Sequence, residues 1–292
     1  MNRILKRFMI EEYNIGFIKK TPTSLLEHGL CRGDIIWMEH PYKDRFFADP
    51  FLLKEDDQNY YIVCEEYVFW EKKGKIALLT IDKERLCLQR KKVLIEEPVH
   101  LSFPFCTNGG STVIPEAYRL GAVYRYTVDT DKLCVTEKEK IASAGIIDPV
   151  LLNENVLFGS DVSSSELREY RRTDGEFREI SGSPRKTDAT CSRPAGRFFT
   201  CGDRLYRPAQ NCRDRYGESV AIMRVTACGG EYSEETEADL SSRENPPFDR
   251  TMHTFNVYDG VIIVDGSRDA LRILRKPLYW TRYFILHRKN QR

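Results

Sequence analysis

The chain lacks the features of a membrane-spanning, secreted or nucleic-acid-binding protein. Within its 292 residues no apolar run approaches the roughly 20 residues that a transmembrane helix needs. The N-terminal segment is basic, but Glu11 and Glu12 interrupt its apolar run after three residues, so we expect no signal peptide. Lysine and arginine number 45 against 44 aspartate and glutamate residues, and this balance predicts no nucleic-acid partner.

The cysteines are few, irregular in spacing and odd in number. There are nine, and no C-x-x-C pair occurs among them. This pattern argues against a disulfide framework and against a structural zinc site. We therefore expect a cytoplasmic protein with reduced thiols, no bound metal and no cofactor.

The chain also lacks a linker rich in proline, glycine or serine, and it has little helical periodicity outside its C-terminal end. Instead, short runs rich in valine, isoleucine, tyrosine and phenylalanine alternate with turn residues, as in YYIVCEEY (60–67) and GVIIVDG (260–266). These runs predict an all-β fold. We expect residues 1–292 to form a single domain.

The β-rich runs form a repeat of roughly 45 to 60 residues. FADPFLL (47–53) and IIDPVLL (146–152) are its clearest copies. Five repeats of four short antiparallel strands predict a five-bladed β-propeller with a central funnel. The blades are expected to start near residues 49, 100, 148, 193 and 253, after a short N-terminal lead-in and before a basic C-terminal tail.

Polar residues lead each repeat, and others end its second strand. If the first strand of a blade lies nearest the axis, the leading residues form one ring in the funnel; alternatively, they serve only the chemistry of the turns. Glu65 and Glu66 are adjacent, so only one of them can face the funnel. The leading residues are Asp49, His100, Asp148, Arg193 and His253, and the second-strand residues are Glu65, Glu66, Glu116, Asp161, Arg207, Gln210 and Asp265.

These motifs resemble the propeller superfamily of arabinanases, levansucrases and invertases. They are more similar still to the N-terminal propeller of glucosamine inositolphosphorylceramide transferases and its uncharacterised bacterial relatives. The residues that carry this resemblance span nearly the whole chain from about residue 35, and the most specific of them is RPAQNCRDRYG (207–217).

The resemblance implies catalytic roles for three carboxyl groups. In the hydrolases of the superfamily, an aspartate matching Asp49 is the base or nucleophile, and one matching Asp148 orients the substrate and tunes a pKa. A glutamate on a later blade protonates the leaving group, but blade four of this chain offers Gln210, which cannot donate a proton. Glu116 is the remaining candidate for the acid, provided that the geometry is rearranged.

The remaining candidates are predicted to bind substrate. Arg193, Arg207 and Arg215 give blade four a local excess of guanidinium groups, which suit a sugar phosphate; the alternative is a set of salt bridges between blades. His100 and His253 are expected to hydrogen-bond a sugar; the alternative for this pair is metal binding. The full set is Glu65, Glu66, His100, Arg193, Arg207, Gln210, Arg215 and His253.

The C-terminal segment 272–292 carries seven lysine or arginine residues, no acidic residue and several aromatic residues. This composition suits contact with a membrane surface; the alternative is a closing strand with a solvated tail.

Three functions are compatible with the sequence. The first is a carbohydrate-active or carbohydrate-binding propeller of cell-surface glycan or polysaccharide biosynthesis, related to glycosyl transfer, that binds a sugar or sugar phosphate in the funnel. The second is a glycoside hydrolase that uses Asp49 and Asp148. The third is a non-enzymatic scaffold that partners a glycosyltransferase.

Overall fold

A computed structural model describes residues 9–107, 110–227 and 231–271. Its regular structure in these ranges is nearly all β-strand, arranged in five antiparallel sheets. The fold is a five-bladed β-propeller, as the sequence predicts. The basic segment 272–292, for which membrane contact is predicted, lies outside the described residues. None of the helices in the described ranges combines the length and apolar character that crossing a bilayer requires.

The described chain begins with strand β1 (Met9–Ile18), helix α1 (Pro22–His28) and strand β2 (Ile35–Trp37). Pro22 occupies the first turn of α1, and the Thr21 side chain accepts a hydrogen bond from the Ser24 N–H, which satisfies a free donor of that turn. The helix ends at Gly29, whose φ of 68° is readily adopted by glycine.

Blades one to four each use consecutive strands. Blade one contains β3 (Arg45–Glu55), β4 (Asn59–Val68), β5 (Lys73–Asp82) and β6 (Leu88–Ile95). Blade two contains β7 (Ser102–Cys106), β8 (Thr112–Glu116), β9 (Val123–Asp129) and β10 (Cys134–Ala142), with a single 3₁₀ turn at Tyr118–Leu120. Blade three contains β11 (Ile147–Asn153), β12 (Val156–Ser160), β13 (Glu166–Thr173), β14 (Glu176–Glu179) and the short β15 (Lys186–Thr187). Blade four contains β16 (Phe199–Cys201), β17 (Arg204–Asn211), β18 (Ser219–Ala227) and β19 (Ser233–Leu240).

The fifth blade joins the two ends of the described chain. Its inner strands are β20 (Phe255–Tyr258) and β21 (Val261–Leu271), and its outer strands are β1 and β2. Strands β1 and β21 pair continuously from Met9 opposite Leu271 to Ile18 opposite Ile262. The segment that the sequence analysis treats as a lead-in is therefore a full strand, and it closes the ring of blades.

The hydrophobic core lies between the blades. The first strands β3, β7 and β11 contact one another in turn, which places them nearest the axis. At the boundary of blades one and two the rings of Phe51 and Phe103 meet edge to face at 5.1 Å. At the closure, Ile15 and Phe17 of β1 pack into the same cluster as Phe47 of blade one. Apolar packing between neighbouring blades thus fixes the strand ends that surround the funnel.

Candidate functional site

A shared irregularity marks the inner strands of blades one, two and three. Asp49, Phe103 and Asp148 each precede a proline and each have a positive φ, of 52°, 40° and 45°. The pairing register of each inner strand shifts at this same point. Such a bulge redirects a side chain and costs backbone strain, which asparagine and aspartate tolerate better than other residues.

This irregularity corrects the predicted repeat in blade two. The residue equivalent to Asp49 and Asp148 is Phe103, whereas the sequence analysis chose His100. Phe103 is fully buried and contributes its backbone N–H, not a polar side chain, to the centre. His100 lies three residues earlier, at the boundary with blade one.

Asp49 lies at the centre of the polar contacts. Its Oδ2 accepts a hydrogen bond from the Phe103 N–H at 3.1 Å, and its Oδ1 accepts one from the Thr254 hydroxyl at 3.0 Å. Burial raises the pKa of Asp49, His253 opposes this, and the neighbouring carboxylates raise it again, to about 6. This carboxyl group can therefore gain or lose a proton near neutral pH.

His253 and Asp265 form a buried ion pair beside Asp49. The Nδ1 of His253 lies 2.6 Å from Asp265 Oδ2 and 3.7 Å from Asp49 Oδ1. Burial lowers the pKa of His253, but the two carboxylates outweigh burial and raise it to about 9. Burial raises and His253 lowers the pKa of Asp265, which stays below its ordinary value. The imidazole is therefore charged at neutral pH.

This trio also contains the donor atoms of a possible metal site. Ligand atoms of Asp49, His253 and Asp265 lie within 4.8 Å of one another. A cation could bind there only by displacing the proton on His253 Nδ1, because that atom already faces Asp265 at hydrogen-bonding distance. The prediction that the protein binds no metal is left as a prediction.

Asp148 is held by two donors from blade four. Arg193 Nε donates to Asp148 Oδ2 at 2.6 Å, and Gln210 Nε2 donates to the same oxygen at 2.8 Å. The other guanidinium nitrogens of Arg193 donate to Ser164 and to the hydroxyl of Tyr216. Gln210, found where a catalytic glutamate is expected, thus fixes the position of a carboxylate.

Glu65 and Glu116 occupy matching positions on the second strands of blades one and two. Ala48 pairs with Glu65, and Ser102 pairs with Glu116, as the predicted repeat requires. Burial raises the pKa of Glu116, and the neighbouring charge of Asp148 and a hydrogen bond to that residue raise it further. Arg193 opposes these effects, and the resulting pKa is about 8. Burial and then Asp49 raise the pKa of Glu65 well above its ordinary value. Glu116 is therefore held protonated near pH 7, and the surroundings of Glu65 favour its neutral form.

His100 contacts this group from its edge. Its Nδ1 accepts the Gly74 N–H at 2.9 Å, and its Nε2 lies 3.3 Å from Glu65 Oε1. Burial lowers the pKa of His100, and the charge of Arg119 adds to the effect. A neutral imidazole with its hydrogen on Nε2 agrees with both contacts.

The convergent residues form what we call the funnel cluster. It draws on all five blades. Its members hydrogen-bond or form ion pairs with one another, apart from Glu65, which interacts electrostatically with Asp49 and contacts His100. The funnel cluster consists of Asp49, Glu65, Glu116, Asp148, Arg193, Gln210, His253 and Asp265.

Besides His100 at its edge, three predicted binding residues lie outside the funnel cluster. Glu66 points the other way from Glu65 and pairs with Lys91 at 2.7 Å. Arg207 is fully buried, where it binds Glu234 at 2.6 Å and two backbone carbonyl groups. Arg215 is exposed in the turn after β17. The salt-bridge alternative for blade four thus applies to Arg207.

Tyr13 is the main site residue that the sequence analysis missed. Its ring stacks on His253 with a centroid distance of 4.7 Å and an interplanar angle of 13°. Strand β1 brings it there by pairing with β21, and no local pattern in the sequence reveals that the two ends of the chain pair. The alternation of buried Tyr13, Ile15 and Phe17 is the signal that could have identified β1 as a strand.

Comparison with known families gives one match over most of the chain. The model of the family described as "Glucosamine inositolphosphorylceramide transferase 1, N-terminal" matches residues 35–258. A curated relative from Arabidopsis thaliana, named glucosamine inositolphosphorylceramide transferase 1, is 24% identical over 218 residues, which cover 67% of this chain and 28% of the relative. Its namesake from Oryza sativa subsp. indica is 24% identical over 221 residues, which cover 70% of this chain and 30% of the relative. The chain thus spans less than a third of the length of these relatives.

Solved structures with the same fold include two GH43 enzymes. A β-xylosidase/α-arabinofuranosidase from a compost microbial metagenome, in complex with xylotriose, has a TM-score of 0.51 at 11% identity, covering 78% of this chain and 92% of its own. A GH43_1 enzyme from Xanthomonas citri also has a TM-score of 0.51 at 11% identity, covering 78% of this chain and 88% of its own. At this identity the likeness concerns the fold alone.

Proposed function

This chain belongs to the family of N-terminal regions of glucosamine inositolphosphorylceramide transferase 1, and on that premise we propose that it binds a carbohydrate in its central funnel. The family name points to glycosyl transfer, which agrees with a role in cell-surface glycan or polysaccharide biosynthesis. The single observation that carries the proposal is the funnel cluster, in which polar side chains from all five blades converge.

The chemistry of the funnel cluster suits the hydroxyl groups of a sugar. Protonated Glu116 can donate a hydrogen bond, and the Asp49 and Asp148 carboxylates can accept hydrogen bonds. Sites of this kind bind polar ligands through a few convergent groups. A sugar hydroxyl, which donates and accepts at once, can use both.

A phosphate has less support than a hydroxyl group. Arg193 is paired with Asp148 at 2.6 Å, and Arg207 is fully buried and paired with Glu234 at 2.6 Å. Excess carboxyl groups around Asp49 would also repel an anion. We therefore favour an uncharged or amino sugar over a sugar phosphate as the group that the funnel contacts.

A second candidate function is cleavage or transfer of a glycosidic bond. The observation that favours it is the separation of two carboxyl pKa values, about 6 for Asp49 and about 8 for Glu116. Glycosidases use one carboxylate and one carboxylic acid, and the different environments of the two groups keep their pKa values apart. In this scheme Glu116 is the acid, Asp49 is the base or nucleophile, and Asp148 is held in place by Arg193 and Gln210.

A third candidate, a scaffold for a glycosyltransferase, would use the same funnel for recognition without turnover. What supports it is Gln210, which occupies the blade-four position expected of a catalytic acid and cannot protonate a leaving group. Turnover assays separate the two candidates, because Glu116→Gln should abolish bond cleavage or transfer while the protein still binds sugar.

Replacing Asp49 with asparagine should weaken carbohydrate binding by roughly 10- to 100-fold, because a charge-assisted hydrogen bond contributes about 1.5–3 kcal/mol. The measurement is retention on an array of immobilised glycans, followed by titration calorimetry with each retained glycan. Asp259→Asn, in the exposed turn between β20 and β21, is the matched control and should bind like the wild type. The proposal is wrong if the wild type retains no glycan or if Asp49→Asn binds as tightly as the control.

A further inference from the structure

A second cavity opens beside the funnel, between blades five and one. Its volume is about 340 Å³, within the range of small-ligand sites. We call it the blade-five groove. Its lining includes Glu12, Tyr13, Asn14, Tyr42, Phe248 and Arg268.

The blade-five groove lies at the same end of the blades as the funnel cluster. On β1, Ile15 pairs with Asp265 of the funnel cluster, and the groove residues Asn14 and Tyr13 pair with the next two residues of β21. Tyr13 lines the groove, and its ring also stacks on His253 at 4.7 Å. One aromatic ring therefore separates the two sites, and a ligand could contact both.

Asn14 presents a hydrogen-bond acceptor that has no protein partner. The residue is 2% exposed, and its Nδ2 donates to the Met38 carbonyl oxygen at 2.8 Å. That contact fixes which end of the amide is nitrogen, since a carbonyl oxygen can only accept. The Oδ1 atom then has no hydrogen-bond donor, and a buried polar atom left without one costs about 1–3 kcal/mol.

The two arginines of the blade-five groove are already paired with carboxylates, and its exposed Glu39 and Lys43 add one charge of each sign. Arg268 binds Glu12 at 2.6 Å and also covers the ring of Phe248 at 4.6 Å. Arg45, at the groove edge, binds Asp44 at 2.8 Å. An anion would have to compete with these carboxylates, and a cation with these guanidinium groups. A neutral ligand that donates to Asn14 and packs on the tyrosine rings fits better.

We propose that the blade-five groove is a second sugar-binding subsite, so that the ligand is an oligosaccharide of at least two units. One unit occupies the funnel cluster, and the next crosses Tyr13 and donates a hydroxyl hydrogen bond to Asn14 Oδ1. This inference rests on the proposed function, and it narrows the substrate class from a single sugar to a chain.

The test is an array of immobilised glycans of one to six units, probed with the wild type, Asn14→Ala and Tyr42→Ala. We expect the wild type to retain glycans of two or more units better than single sugars. Each variant should bind the longer glycans roughly 3- to 10-fold more weakly than the wild type, because it lacks one hydrogen bond or stacking contact. Its affinity for single sugars should be unchanged. Tyr118→Ala, on an exposed tyrosine of blade two, is the matched control.

The outcomes separate this inference from the proposed function. If the wild type retains no glycan, both the proposed function and the second subsite are wrong. If it retains single sugars as well as longer glycans, or if Asn14→Ala and Tyr42→Ala preserve the wild-type length dependence, the subsite is wrong while the funnel proposal stands. Thermal unfolding of each variant shows whether it is folded. If Asn14→Ala does not fold, Tyr42→Ala still tests the subsite.

Discussion

Replacing Arg207 with methionine should destabilise the protein by about 3–5 kcal/mol, the usual cost of breaking a buried ion pair by removing one partner. Arg207 is fully buried and binds Glu234 through two nitrogens, at 2.9 and 2.6 Å. It also donates to the carbonyl oxygens of Cys191 and Ser192. Methionine fills similar space but leaves Glu234 and both carbonyl groups without these donors.

Urea unfolding measures this effect, and Arg215→Met is the control, because Arg215 is exposed and should change stability by no more than about 0.5 kcal/mol. The double variant Arg207→Met/Glu234→Met should recover part of the loss, since it removes both charges together. A stable Arg207→Met protein that loses glycan binding would instead support the substrate-binding role that the sequence suggested.

Replacing Glu116 with glutamine should reduce the fall in stability between about pH 4.5 and pH 8. The folded-state pKa of Glu116 is raised to about 8, so the native state keeps a proton that the unfolded chain releases. The resulting stabilisation is complete below the unfolded pKa and is lost as pH rises through 8. Its size is as much as about 5 kcal/mol.

The free energy of unfolding of the wild type and of Glu116→Gln, measured by urea at intervals from pH 4.5 to pH 9, gives this comparison directly. Glutamine cannot ionise, so the variant should lack the part of the wild-type decline that Glu116 causes. Asp49 and Glu65, whose pKa values are also raised, should keep their own decline in both proteins. His253, with its pKa raised to about 9, should keep a smaller decline above pH 6.5 in both proteins. Glu84→Gln, at an exposed turn, is the control, and parallel profiles for Glu116→Gln and Glu84→Gln would contradict the protonated state of the half-buried Glu116.

The sequence predicts the architecture well because the repeat is local. Each blade is a run of short strands whose alternation and turns lie within one stretch of sequence, and the Asp49 and Asp148 motifs mark two inner strands. The error at His100 arose from choosing a polar residue over the residue before proline. Aligning the prolines that follow Asp49, Phe103 and Asp148 gives the register that the structure shows.

The parts of the site that could not be predicted depend on contacts between distant segments. Tyr13 reaches His253 only because β1 pairs with β21 across the whole length of the chain. Arg207 and Arg193 have the same charge and lie on the same blade, yet one turns into the blade toward Glu234 and the other toward Asp148. Residue type gives the chemistry of such groups, but burial and partners decide whether they can meet a ligand.

The most direct test of the central claim is a crystal structure of the protein bound to the glycan that it retains most strongly. We predict a sugar unit in the funnel with hydroxyl groups within hydrogen-bonding distance of Asp49 and either Glu65 or Glu116. A glycan bound elsewhere on the surface, with no sugar at the funnel cluster, would contradict the account.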